Sequence, residues 1–131
     1  MVGTLGGLVG PGEPYMTRDG SQIEELVHPN RGGPPNLSVA RAVIEPGQAT
    51  HCHYHAESDE VYYVLSGKGV AMVGGKWEVV EAGVCVSVPA RAEHRVRCDG
   101  DGPLVILCLS VPPYTHEQTV LVERTEPEPV P

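Results

Sequence analysis

Phenylalanine is absent from this chain, tryptophan occurs once, and aromatic residues make up only 5% of it. Basic residues are also scarce, with 9 Lys and Arg against 17 Asp and Glu and a formal charge of -8. Such a balance excludes the clustered cations that nucleic-acid phosphates demand and disfavours an anionic membrane surface. Part of the charge belongs to the end of the chain (Glu117, Glu123, Glu126, Glu128), so it need not describe an active cavity. No apolar run approaches the ~20 residues of a membrane span, and no basic start, apolar run and cleavage site combine into a signal peptide. The cysteines Cys52, Cys85, Cys98 and Cys108 are too far apart for CxxC metal or redox chemistry. Reduced thiols in a cytoplasmic protein are therefore expected.

What is present is punctuation. The 131 residues include 16 Gly and 13 Pro, while hydrophobic residues hold an ordinary 40%, enough for one core and one domain. Residues 1–20 are Gly/Pro-rich and predict an arm with little structure of its own. Ser21–Val27 suits a strand or one helical turn. From Leu37 onward, short β-branched runs alternate with turns: Leu37–Ile44, Thr50–His55, Glu60–Leu65, Gly69–Val73, Lys76–Val80, Val84–Val88, His94–Cys98 and Leu104–Val111. Gly74-Gly75 signals a tight hairpin. The whole predicts an all-β antiparallel sandwich or barrel over residues 21–122, followed by an acidic, Pro-rich tail over 123–131 expected to be disordered.

His51, His53 and His55 share one parity, which in an extended strand puts them on one face. An exposed polar strand face would explain them. However, Glu60 follows at the mouth of the apolar run Val61–Leu65, and a carboxylate there needs a partner. Two imidazoles and a metal would supply one. His94, after the Pro89 turn, opens another strand.

Gly47-x5-His53-x-His55-x4-Glu60-x6-Gly67 and Gly83-x5-Pro89-x4-His94 resemble the two motifs of the cupin superfamily, in particular its small, single-domain bacterial-type members. The resemblance covers roughly residues 37–111 and implies a jelly-roll β-barrel or sandwich. It also implies that His53, His55, Glu60 and His94 hold one divalent transition metal (Fe, Mn, Ni, Co, Cu or Zn). Arg91 stands where the family motif usually has Gly, and Cys98 where it has Asn. Neither is a ligand position, so these departures bear on the pocket lining only.

Four ligands on an octahedral ion leave two positions for a small, oxygen-bearing organic substrate. Non-redox lyase, isomerase or decarboxylase chemistry and O2-dependent cleavage both occur among the proteins the chain resembles, and the fold does not choose. A metal-containing binding or sensing module without catalysis is the alternative. Three further residues are candidates for catalysis. His51 would carry protons or orient a ligand, or lie in water at the rim. Tyr62, in phase with Glu60, would donate to an oxyanion or simply pack in the core. Arg41 would clamp a carboxylate inside the barrel or lie on the solvated outer face. Cys98 shares the parity of His94, Cys52 should point away from the metal, and Arg95 and Arg97 belong to the opposite face. A homodimer is expected, with the arm free to add itself to a neighbour's sheet.

Overall fold

A computed structural model of the chain describes residues 12–123. The strands run β1 (Tyr15–Met16), β2 (Gln22–Val27), β3 (Ser38–Ile44), β4 (His53–His55), β5 (Asp59–Ser66), β6 (Lys68–Val73), β7 (Lys76–Glu81), β8 (Cys85–Val88), β9 (His94–Cys98), β10 (Leu104–Val111) and β11 (Thr119–Leu121). They form two antiparallel sheets, six-stranded in the order β1-β2-β3-β10-β5-β8 and five-stranded in the order β11-β4-β9-β6-β7. This is the jelly-roll architecture. Among the described residues there is no α-helix, only a 3-10 turn at Pro29–Arg31, so none is long and apolar enough to cross a membrane.

Alternation along the strands decides what lies between the sheets. On β5, Glu60, Tyr62 and Val64 are buried while Val61, Tyr63 and Leu65 face out. Val64, Val80, Val88, Val96, Leu104 and Ile106 fill much of the space between the sheets, and burying each stabilises the fold by about 1.5–3 kcal/mol. Gly74 (φ 59) and Gly75 (φ 89) close the β6–β7 hairpin at Val73↔Lys76, as the Gly-Gly pair predicts, because such turns need positive φ.

The arm expected over residues 1–20 is ordered in its second half. Tyr15 and Met16 pair with Ile23 and Gln22 of β2 on the same chain, and Tyr15 Oη donates to Glu25 Oε1 (3.0 Å). Thr17–Ser21 makes a tight turn in which Thr17 N donates to Ser21 O (2.8 Å) and Gly20 N to Thr17 O (3.0 Å). Ser21–Val27, left between strand and helix by the sequence, is strand from Gln22. Its Ile23 packs on Ala40 and Ala42 of β3, which ties the segment to the mouth of the barrel. Residues 1–11 and 124–131, including most of the acidic tail, lie outside the described residues.

β6 and β9 approach closely at Gly69, opposite Cys98. A Cβ there would lie 2.1 Å from Arg97 O and 3.0 Å from Leu104 Cδ2. Gly69→Ala should therefore cost at least about 1–3 kcal/mol. Urea unfolding checks this, and an unchanged midpoint would contradict the packing described.

Candidate metal centre

β4 carries His53 and His55 inward, and its backbone pairs with β9 at His53↔His94. Glu60, at the start of β5 in the other sheet, faces them across the barrel. All four side chains are buried, His53 and His94 to 1% exposure. The ring centroids are 5.1 Å (His53–His55), 4.2 Å (His53–His94) and 5.3 Å (His55–His94) apart, and one ligand nitrogen from each lies within 4.8 Å of the others. Glu60 Oε1 is 2.9 Å from His55 Nε2 and 3.3 Å from His94 Nε2.

The far side of each ring is tied down. His53 Nδ1 lies 2.7 Å from His51 O, His94 Nδ1 2.9 Å from Ala92 O, and His55 Nδ1 3.2 Å from Thr119 Oγ1. A carbonyl only accepts, so His53 and His94 carry their proton on Nδ1 and turn the Nε2 lone pair into the site. Those two Nε2 atoms are buried and make no hydrogen bond. Buried polar nitrogens normally find a partner, and a metal ion at this point would supply one. Tyr62 Oη donates to Glu60 Oε1 (3.1 Å) and Ser110 Oγ to Glu60 Oε2 (3.2 Å). Burial pushes the Glu60 carboxyl up, but the His55 and His94 imidazoles in their protonated form outweigh it and hold it well below the usual carboxylate range. Burial, with the Glu60 charge beside it, raises the Tyr62 phenol well above its ordinary value, so it stays a donor.

The family model for the cupin domain matches residues 40–110, from β3 through nearly all of β10, which contain all four side chains. This chain belongs to the cupin family. It is 40% identical over 111 residues to an uncharacterized protein of Methanocaldococcus jannaschii, covering 85% of this chain and 89% of that one. It is 31% identical over 102 residues to a glucose-6-phosphate isomerase of Thermococcus onnurineus, covering 68% of this chain but only 54% of the isomerase. The cupin thus spans about half the length of the curated isomerases it matches. Among solved structures, Streptomyces PAC13 with uridine superposes with a TM-score of 0.70 at 20% identity, covering 86% of this chain and 85% of that chain.

Of the residues read from the sequence, this cupin brings His53, His55, Glu60, His94 and Tyr62 together and leaves two outside. His51 is exposed. The strand is not continuous there: His51 N donates to Asp19 O (2.6 Å), Cys52 and His53 are buried in succession, and β4 begins only at His53. Shared parity therefore does not give a shared face. Its carbonyl, not its ring, serves the site. Arg41 lies on the outer face of β3, between the buried Ala40 and Ala42, and pairs with Glu24 at 3.5 Å. It does not reach the cavity. Cys52 is buried, and Cys98 is a core residue whose thiol meets Gly102 O at 3.3 Å. Arg91 adopts a left-handed conformation (φ 67), which accounts for glycine at that place in the motif, and its side chain is exposed.

Sequence reasoning missed the groups that arrive from elsewhere. Asp19, Ser38, Ser110 and Tyr114 line a cavity of about 30 Å³ beside Glu60 and His55, room for about two waters. Asp19 Oδ2 sits 3.2 Å from His53 Nε2. Burial pushes the Asp19 carboxyl up, but the charge His53 carries when protonated, with hydrogen bonds from Thr17 and Ser21, leaves it lowered. A lone Asp in a Gly-rich stretch carries no signal of this role.

In the metal-free protein, burial first and the neighbouring His94 second push the His53 imidazole down from 6.5 to about 4, against the opposing pull of Asp19. A lowered histidine contributes stability fully above its unfolded value, and that contribution is lost as pH falls through the folded one. The chelated protein should therefore lose stability between about pH 6.5 and 4. NMR titration of the His53 ring is the check, and a midpoint near 6.5 would contradict this environment.

Proposed function

We propose that this cupin is an enzyme that holds one divalent transition metal through His53, His55, Glu60 and His94 and acts on a small, oxygen-bearing organic molecule. The unpartnered, buried Nε2 atoms of His53 and His94 carry this reading, since their Nδ1 atoms already face carbonyls. When bound, the metal supplies Lewis acidity at coordination positions left open to substrate. The chain's own residues do the rest. Tyr62 and Ser110 hold Glu60 in place by the bonds described above. Tyr114, pushed up to about 12 mainly by burial, keeps its proton; it lines the cavity while its hydroxyl lies 3.3 Å from His116 Nδ1.

The lining favours the non-redox branch of isomerases and lyases. Ile23, Ala40 and Cys108 give the space an apolar wall, the hydroxyls of Thr17, Ser21, Tyr62 and Ser110 are held by Asp19 and Glu60, and no Lys or Arg is among the lining residues. Such a surface suits a hydroxy-carbonyl compound and gives phosphate no cation to pair with. The isomerase name of half-matching relatives supports the same branch. Cys108 lines the cavity too, but burial, with Glu60 beside it, raises its thiol well above the ordinary value, which makes it a poor nucleophile. A binding or sensing module remains the second reading, favoured by hydroxyls that are committed to holding Glu60 and Asp19 rather than free to act as acid or base. A homodimer is part of the proposal, supported by Val61, Tyr63 and Leu65 at 40%, 39% and 42% exposure on one outer face of β5.

Protein purified without added metal should contain one transition metal per chain. His53→Ala and Glu60→Ala should lower that content sharply and abolish turnover of hydroxy-carbonyl compounds assayed without O2. Full occupancy in both variants would end the assignment. Turnover only with O2 would move the enzyme to the dioxygenase branch, and tight binding without turnover would favour the sensing module.

A further inference from the structure

We propose that Asp19, from the Thr17–Ser21 turn, is a fifth protein ligand of the metal assigned above to His53, His55, Glu60 and His94. This rests on the metal-site reading and adds a residue from outside the residues matched by the family model. The turn divides the work of the carboxylate between its oxygens. Oδ1 accepts from Thr17 Oγ1, from Ser21 N (2.9 Å) and from Ser21 Oγ (2.7 Å). Oδ2 is left turned toward His53 Nε2 at 3.2 Å.

That approach is not a hydrogen bond. The Nε2 atom has no hydrogen-bond partner despite an acceptor so near, and the His51 carbonyl against Nδ1 places the ring proton on that other nitrogen. Two lone pairs aimed into the same space repel unless a cation lies between them. With metal–ligand bonds of about 2.1 Å, ligand atoms at right angles are about 3 Å apart. The Asp19–His53 separation of 3.2 Å matches that edge, as do the 2.9 and 3.3 Å edges from Glu60 to His55 and His94. One carboxylate thus serves two imidazoles and the other serves the third. Charge agrees: two carboxylates neutralise a divalent ion in a site where unbalanced charge is costly.

The backbone fixes this contact. His51 N donates to Asp19 O (2.6 Å) while His51 O accepts from His53 Nδ1 (2.7 Å), so one residue positions both partners. A Cβ on Gly20 would meet the His51 ring at 3.3 Å, and its φ of 91 is one that L side chains rarely adopt. The role of His51 is therefore positioning, through its main chain. Five protein ligands would leave an octahedral ion one place for substrate, where four would leave two.

Water proton relaxation of the Mn(II)-loaded protein tests this. Wild type should show the relaxivity of one inner-sphere water. Asp19→Ala and Asp19→Asn should bind Mn(II) roughly tenfold or more weakly, and Asp19→Ala should raise relaxivity per bound ion about twofold as a second water enters. The Asn variant covers the case in which Ala disturbs the turn, since its side-chain oxygen can still accept from Thr17 and Ser21, and thermal melting of the chelated variants checks the fold. Mn(II) affinity and relaxivity equal to wild type in both variants would overturn the fifth ligand. Weaker binding with unchanged relaxivity in both would overturn it too, making Asp19 a positioning residue. A wild-type chain that binds neither Mn(II) nor any other transition metal would instead remove the four-ligand site itself.

Discussion

Burying three imidazoles beside a carboxylate is the constraint around which the centre of the barrel is arranged. A neutral imidazole has one donor and one acceptor nitrogen, and each needs a partner once water is excluded. Here His51 O and Ala92 O take the Nδ1 protons of His53 and His94, while Thr119 Oγ1 meets His55 Nδ1. With the rings so fixed, the Nε2 atoms converge, and two of them have no hydrogen bond. The protein keeps this arrangement because two sheets of Val, Ile and Leu surround it and because β11 and the Thr17–Ser21 turn cover its open side.

Much of that was legible in the sequence. β-branched runs bounded by Gly and Pro gave the strands of the barrel close to where they lie, because turns requiring positive φ leave a residue signature. His53, His55, Glu60 and His94 were legible because their spacing reproduces a family motif and because each sits on a strand whose period of two sends it inward. The remainder was not. Asp19 and Thr119 reach the centre from segments at either end of the chain, and only the tertiary pairings of β2 with β3 and of β11 with β4 bring them there. His51 shows the limit of parity: the period of two holds only while the strand lasts, and the hydrogen bond to Asp19 O interrupts it. Arg41 was ambiguous until the faces of β3 were assigned; Ser38, Ala40 and Ala42 took the inward one.

Membership of the cupin family and the jelly roll follow from sequence and architecture together, whereas the reaction has to be argued from the cavity. Its lining combines apolar side chains with hydroxyls that already hold Glu60 and Asp19, and includes no Lys or Arg; the proposal of a small neutral oxygen compound rests on that combination. The likeness to isomerases covers about half of those proteins, so it supports the branch of chemistry without supplying a substrate.

The central claim is that three imidazoles share one metal ion here. X-ray absorption at the edge of the metal that copurifies with the full chain measures this directly. The geometry predicts a first shell of nitrogen and oxygen with the outer-shell scattering of three imidazole rings and no sulfur. A shell with sulfur neighbours, or with fewer than two imidazoles, would contradict it.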